Sequence, residues 1–388
     1  MKMLVLGAGL QGSACAYNLL QDNRIESVTV ADLHPGELPE FLAPWRGGRL
    51  RTVALDARDS AAVSTLMQGH AAVMCALPYY FNEPMTRAAI ASGAHFSDLG
   101  GNTAIVQEQK ALHDQARAAG LSVIPDCGLA PGMVNILAAE GIRRMDQART
   151  VRIYVGGLPQ HPEPPLNYQI VYSLEGALDY YTTPSWVLRN GKAVEVDALS
   201  ELEPVDFPAP VGRLEAFHTG GGISTMPFAW EGKIETMEYK TLRYPGHVAI
   251  MKPIRELGLI SNDPIDVKGQ QVRPRDLFIA ATHPKLYRPE GHDLVALRVT
   301  VEGTRGGVEA VETFELVDRY DAAIGMSAMM RTTGFSLALT GIMQADGTIT
   351  DFGVHTPDEA TPFGPYVAGL KRFGVEITEG SQAPTRRS

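Results

Sequence analysis

Cysteine is scarce. The chain has three in 388 residues, Cys15, Cys75 and Cys127, all in apolar contexts and none in a Cys-x-x-Cys pair. This excludes a disulfide framework and a thiolate cage, and it fits reduced thiols in the cytoplasm. No apolar run reaches the ~18 residues of a membrane span, and the N-terminus lacks the charged-then-apolar order of a signal segment. Basic blocks are missing as well. The net charge is -10 with the acids scattered, which argues against nucleic acid or an anionic membrane as partner. The ten histidines fall without ligand spacing. With no His-Glu-x-x-His, no Gly-x-Ser-x-Gly elbow and no Walker loop, neither a metal nor a serine nucleophile is expected. Repeats and low-complexity linkers are lacking, so the two domains that this length implies should be packed rather than tethered.

What is present starts at the first residues. Lys2-Met3-Leu4-Val5-Leu6 reads as a buried parallel strand, and Gly7-Ala8-Gly9-Leu10-Gln11-Gly12 opens an amphipathic helix running to Leu20. Gly7 allows the tight turn, Gly9 lets backbone approach a pyrophosphate, and Gly12 lets helix and strand pack closely. A second strand over Val28–Ala31 delivers Asp32, twenty positions beyond the motif, where a carboxylate accepts from both ribose hydroxyls and repels a 2′-phosphate. No Arg follows directly in Leu33-His34-Pro35, so NAD is the expected cofactor rather than NADP.

Strand and helix keep alternating to about residue 125. Strands are expected over 50–54, 72–77, 95–98 and 121–124, and helices over 60–67, 83–91 and 104–119. That grammar describes a Rossmann-type, doubly wound parallel sheet. Its ligand crevice lies beyond the carboxyl ends of the strands. The turn residues Gly7, Gly9, Leu10, Gln11 and Gly12 line it, with Asp32, Asp56 and the Ala76-Leu77-Pro78 stretch.

After Asp126 the pattern changes. A helix is expected from Pro131 to about Arg144, then mostly strands. One hairpin is centred on Asn190-Gly191 and another turns across Gly303-Thr304-Arg305-Gly306. The expected organisation is a nucleotide domain over 1–127, completed by helices within about 320–377 (one over 322–343). An α+β domain with a mixed or antiparallel sheet covers 128–319, for substrate and dimerisation, and 378–388 form a disordered tail.

Six segments occur in a telling order: the N-terminal fingerprint, Ala76-Leu77-Pro78-Tyr79-Tyr80, Asp98-Leu99-Gly100-Gly101-Asn102, Asp126-Cys127-Gly128-Leu129-Ala130-Pro131-Gly132, Thr241-Leu242-Arg243-Tyr244-Pro245-Gly246-His247 and Gly353-Val354-His355-Thr356-Pro357. With these the chain resembles the saccharopine dehydrogenase-like family to about residue 377. Its middle region, through Tyr172-Ser173-Leu174-Glu175-Gly176 and Leu214–Thr219, is most similar to lysine 6-dehydrogenases. The Gly-Leu-Ala-Pro-Gly stretch departs from the Gly-Leu-Asp-Pro-Gly form of saccharopine reductases. The resemblance implies NAD-dependent oxidation of the side-chain amine of L-lysine to allysine, with release of ammonia, by a homodimer. A saccharopine- or carboxynorspermidine-type dehydrogenase and a non-catalytic NAD-binding sensor remain as alternatives.

Hydride loss from an amine needs the neutral amine, so a base or desolvation is required. Candidate bases are Asp98 and Asp126, which could equally shape turns, Glu175 in an apolar stretch, and His218 before the flexible Gly220-Gly221-Gly222 loop. Arg243, flanked by Tyr244, is the candidate for the substrate carboxylate. Tyr79, Cys127, Asn135, Tyr172 and Thr219 are further candidates for the substrate pocket, each with packing as the competing role.

Overall fold

Short apolar runs that do not alternate form strands buried on both faces. The computed structural model, which describes residues 1–36 and 38–382, shows six strands in the first third, all largely buried except the edge strand Leu50–Ala54. They are β1 (Lys2–Leu6), β2 (Ser27–Asp32), β3 (Leu50–Ala54), β4 (Ala72–Cys75), β5 (His95–Asp98) and β6 (Ser122–Ile124). They pair in parallel in the order β3-β2-β1-β4-β5-β6. The order reverses between β1 and β4, and this switch point opens a crevice at the carboxyl ends. The helix expected over 104–119 is two helices, Thr103–Lys110 and His113–Ala118.

The second half builds a mixed sheet from β7 (Gln147–Pro159), β8 (Ser185–Arg189), β9 (Lys192–Val196), β10 (Glu203–Asp206), β11 (Arg213–His218) and β12 (Thr236–Arg243). A small separate ribbon, β13 (Ile265–Val267) and β14 (Gln270–Val272), precedes the long hairpin β15 (Asp293–Arg305) and β16 (Val308–Arg319). β12 lies parallel to β7, and β15 pairs antiparallel with β7 on its other side. The long hairpin turns at Gly306-Gly307, both at positive φ (60° and 76°), later than expected. Two adjacent left-handed residues suit a tight hairpin, so the ladder continues through Arg305.

The last quarter of the chain serves both sheets. β17 (Gly353–Val354) joins the first sheet beside β6, and β18 (Thr378–Gln382) pairs with β16. The expected tail over 378–388 is therefore corrected for its first five residues, which complete an edge; 383–388 lie outside the described residues. The apolar helix runs over Ala328–Ala345 rather than from 322, because Asp321 to Met326 first close a turn and Ser327 caps the helix. It crosses Leu10–Leu20 at Gly334, where a Cβ would press on Ala14 and on the Gln11 carbonyl. Among the described residues no helix is long and apolar enough to cross a membrane.

Candidate active site between the two sheets

The glycine turn after β1 meets the steric demands of its sequence. A Cβ on Gly12 would overlap the Gly7 carbonyl oxygen, and Gly7 sits at φ 100° against the Ala76 carbonyl. Gly9 is different: nothing lies within 4 Å of where its Cβ would be. That free space, at the uncapped N-terminus of Leu10–Leu20, is where backbone amides can receive a pyrophosphate. Asp32 accepts from the Ala8 amide (2.8 Å) and the His34 amide (2.9 Å), which holds its carboxylate beside the turn. The residues present thus fit a dinucleotide. Asp56 lies at the surface. Arg58 hydrogen-bonds it and holds its carboxyl at about 2.

A cavity of about 260 Å³ opens from this turn toward the second sheet. Gln11, Leu77, Leu99 and Gly100 line it from one side, and Tyr172, Tyr239, Thr241 and Arg243 from the other. Residues 239, 241 and 243 alternate along β12, so all three face the cavity while Glu238 and Lys240 face away.

Arg243 is 3% exposed. Its Nε donates to the Tyr181 hydroxyl (3.2 Å), one Nη1–H donates to the Leu242 carbonyl (2.8 Å), and its plane lies over the Tyr168 ring. Among the described residues no carboxylate pairs with it. A buried cation without a counter-charge is costly, so the site is built for an anion. His247 supports it from behind, with Nε2 2.9 Å from the Tyr181 hydroxyl and Nδ1 3.1 Å from the Leu166 carbonyl. Burial, then the Arg243 charge, push His247 down to about 3. The ring is neutral, and the network assigns its proton to Nδ1, donated to Leu166, while Nε2 accepts from Tyr181.

Two carboxyls are buried on the opposite wall. Asp98 accepts from the Gly100 amide (2.7 Å), Gln109 Nε2 (2.7 Å) and the Asp126 amide (3.3 Å), and burial raises it to about 6. These bonds make it the anchor of the 98–102 loop. Asp126, at φ 64°, is 1% exposed. The Ser224 hydroxyl and the Gly101 amide lie near its carboxylate without closing hydrogen bonds of regular geometry. Burial raises it to about 7, with a smaller contribution from Asp98. A Cβ on Gly100 would overlap its carboxylate, so Asp126 stands directly behind the cavity wall.

Residues 3–124 match the family model described as the saccharopine dehydrogenase NADP binding domain, and residues 128–375 match the saccharopine dehydrogenase C-terminal domain. The chain belongs to the saccharopine dehydrogenase family. It is 26% identical to mitochondrial alpha-aminoadipic semialdehyde synthase of Mus musculus, over 96% of its own length and 47% of that protein's. It spans about half the length of the first curated relatives it matches. It is 21% identical to carboxyaminopropylagmatine dehydrogenase of Synechocystis sp., over 99% and 98% of the two chains. The fold is that of the L-Glu-forming saccharopine dehydrogenase of Saccharomyces cerevisiae, with TM-score 0.78, 21% identity and coverage of 98% and 100%.

In this saccharopine dehydrogenase family member several expected site residues lie elsewhere. His218 pairs with Lys240 across β11 and β12, which turns it to the face opposite Thr241. There it meets Glu201 (3.1 Å) and the Tyr239 carbonyl (3.1 Å). Glu201, His218 and Glu238 cluster closely enough to hold a metal. Arg189 bridges the two glutamates at 2.8 Å each, so the cluster is already charge-compensated. Glu175 is exposed in the first turn of Leu174–Thr182 rather than buried in an apolar stretch. Tyr244 points out of the cavity and donates to the Pro159 carbonyl (3.1 Å). The Cys127 thiol is buried against the Ile124 carbonyl (3.1 Å), and burial pushes it well above the usual thiol range. Asn135 ties the Gly132 amide (2.9 Å) to the Ile223 carbonyl (3.2 Å) and lines neither this cavity nor the adjoining one. Thr219 reaches the wall indirectly, through a 2.7 Å bond to Thr241. Tyr79 lines an adjoining cavity. Tyr180, Tyr239, Thr241 and Ser224 are not foreseen from sequence. The alternation Tyr239-x-Thr241-x-Arg243 is the signal that finds two of them once Arg243 is placed.

Proposed function

We propose that this chain is an NAD-dependent amine dehydrogenase that converts the side-chain amine of L-lysine to allysine, with water consumed and ammonia released. Arg243 carries the reading: a buried, uncompensated guanidinium facing the nucleotide turn across one small cavity. It is the one basic side chain among those lining that cavity. This suits an amino acid with a single carboxylate better than saccharopine, which carries three.

NAD, when bound, supplies the hydride acceptor. The chain's own residues do the rest. Gly7, Gly9 and Gly12 with the helix start receive the pyrophosphate, and Asp32 takes the ribose hydroxyls. Arg243, oriented by Tyr181 and His247, grips the substrate carboxylate, while Tyr172, Tyr239 and Leu99 exclude water around the aliphatic chain. Asp126, raised by burial to about 7 and standing behind Gly100, takes the proton of the substrate ammonium, and of the water that hydrolyses the imine, through one bridging water. The enzyme is proposed to work as a cytoplasmic homodimer, in keeping with three free, buried cysteines and readable by size-exclusion chromatography with light scattering.

The test is cofactor reduction with lysine and with saccharopine, each with NAD and NADP. Reduction of NAD by lysine, with weaker NAD binding in Asp32→Ala, supports the reading. Reduction by saccharopine alone transfers the site to secondary amines, and tight NAD binding without turnover of any amine overturns catalysis.

A further inference from the structure

A second cavity, of about 340 Å³, adjoins the first across Tyr180 and Gly176, which line both. Its walls are unlike those around Arg243. Tyr79, Tyr180 and Trp186 supply three aromatic faces, and the charged lining residues are Asp179 and Glu195, with no Lys or Arg among them. Arg275 pairs with Asp179, whereas Glu195, at the exposed rim, forms no ion pair among the described residues. The helix Thr103–Lys110 starts here, but Asn102 Oδ1 already accepts from its Ala104 and Ile105 amides (3.0 and 3.2 Å), so its attraction for an anion is blunted.

The inner end of this cavity is polar. Ser224 is 4% exposed and lines the cavity, with its hydroxyl beside the buried Asp126 carboxylate. The neighbouring wall is tightly fitted. A Cβ on Gly221, at φ 79°, would lie 2.9 Å from the Tyr180 ring and 3.3 Å from the Gly101 carbonyl oxygen, so none has room. This cavity is therefore a shaped space with aromatic faces, acceptor oxygens and an acidic rim.

We infer that the second chamber is a binding site for an alkylammonium group, held by the Tyr79, Tyr180 and Trp186 faces, the Glu195 carboxylate and the Ser224 hydroxyl. Aromatic rings attract organic cations through their faces, and the lack of a lining cation turns carboxylates away. Tyr180 then divides an anion-accepting chamber from a cation-accepting one. The inference goes beyond the proposed reaction, since occupancy of this chamber does not require turnover.

Trp186 makes the chamber observable. The full chain is titrated with n-hexylamine and, separately, with hexanoate, following tryptophan emission. Saturable quenching by hexylamine but not hexanoate is expected. The signal should be lost in Trp186→Phe, and affinity should fall about three- to fivefold in Glu195→Gln, the size of one partly exposed charge contact. Equal quenching by hexanoate, a signal that survives Trp186→Phe, or an unchanged affinity in Glu195→Gln overturns the assignment. Lysine-dependent reduction of NAD, read in parallel, fails or succeeds independently of this titration.

Discussion

Replacing Arg243 by Ala isolates the carboxylate end of the substrate. The guanidinium has five N–H groups, of which Nε–H goes to Tyr181 and one Nη1–H to Leu242. The rest are free to hold a carboxylate in fork geometry. Two charge-assisted bonds at about 1.5–2 kcal/mol each correspond to a loss on the order of 10²- to 10³-fold in affinity. The expected result is a rise of that size in KM for lysine with a much smaller change in kcat, since Arg243 contacts no reacting atom. Arg243→Lys should fall between, because an ammonium keeps the charge but not the fork. The control is L-lysine methyl ester as an alternative substrate. It has no carboxylate, so its KM should hold steady while the KM for lysine climbs. Parallel movement of both constants, or a KM shift below about tenfold, refutes the role. A thermal melt of the variant separates loss of grip from loss of fold.

The two inner glycines of the turn should behave differently. Gly12→Ala sets a methyl against the Gly7 carbonyl and should lower both Tm and NAD affinity, whereas Gly9→Ala meets open space and should weaken NAD while leaving Tm unchanged. Calorimetry with NAD and a melting scan read the pair. Asp126→Asn should remove the acid limb of kcat, which in the wild type falls as pH drops through about 7. In stability the sign is opposite. A carboxyl raised in the folded state contributes stability below its unfolded value of 3.8 and loses it as pH rises through about 7. The Tm of Asp126→Asn should therefore gain on the wild type between about pH 4 and about pH 8. His218→Gln alters a part-buried contact with Glu201 on the face of β11 turned away from the cavity; it should cost about 1 kcal/mol in denaturant unfolding and leave KM and kcat unaltered.

The nucleotide sheet was legible because its signals are local. Most of its strands are short apolar runs, most of its turns carry a glycine or proline, and Ser185–Arg189 and Lys192–Val196 flank Asn190-Gly191 as expected. The long hairpin was misplaced by a few residues because three glycines, Gly303, Gly306 and Gly307, compete for the turn. Gly303 stays in the ladder, packed against the backbone of Gln147 and Ala148. The candidate site was read less well. Arg243 and Tyr172 do line the cavity, but a chain read alone does not reveal which face a strand turns inward. His218 and Thr219 are neighbours, yet the face pairing with β12 sends one to a surface charge cluster and the other to the Thr241 wall. Tyr180 and Ser224 meet at a boundary between segments more than forty positions apart, where no periodicity operates.

The crossing at Gly334 limits how this protein can be divided. The underside of the sheet that carries the glycine turn is roofed by Ala328–Ala345, a helix encoded some two hundred residues beyond β6 and buried over nearly its whole length. No contiguous cut yields a self-sufficient cofactor module: stopping at the domain seam exposes Met74 and Ala14, whose roof is missing. Any transplant of the nucleotide half into another scaffold must carry this distant helix with it.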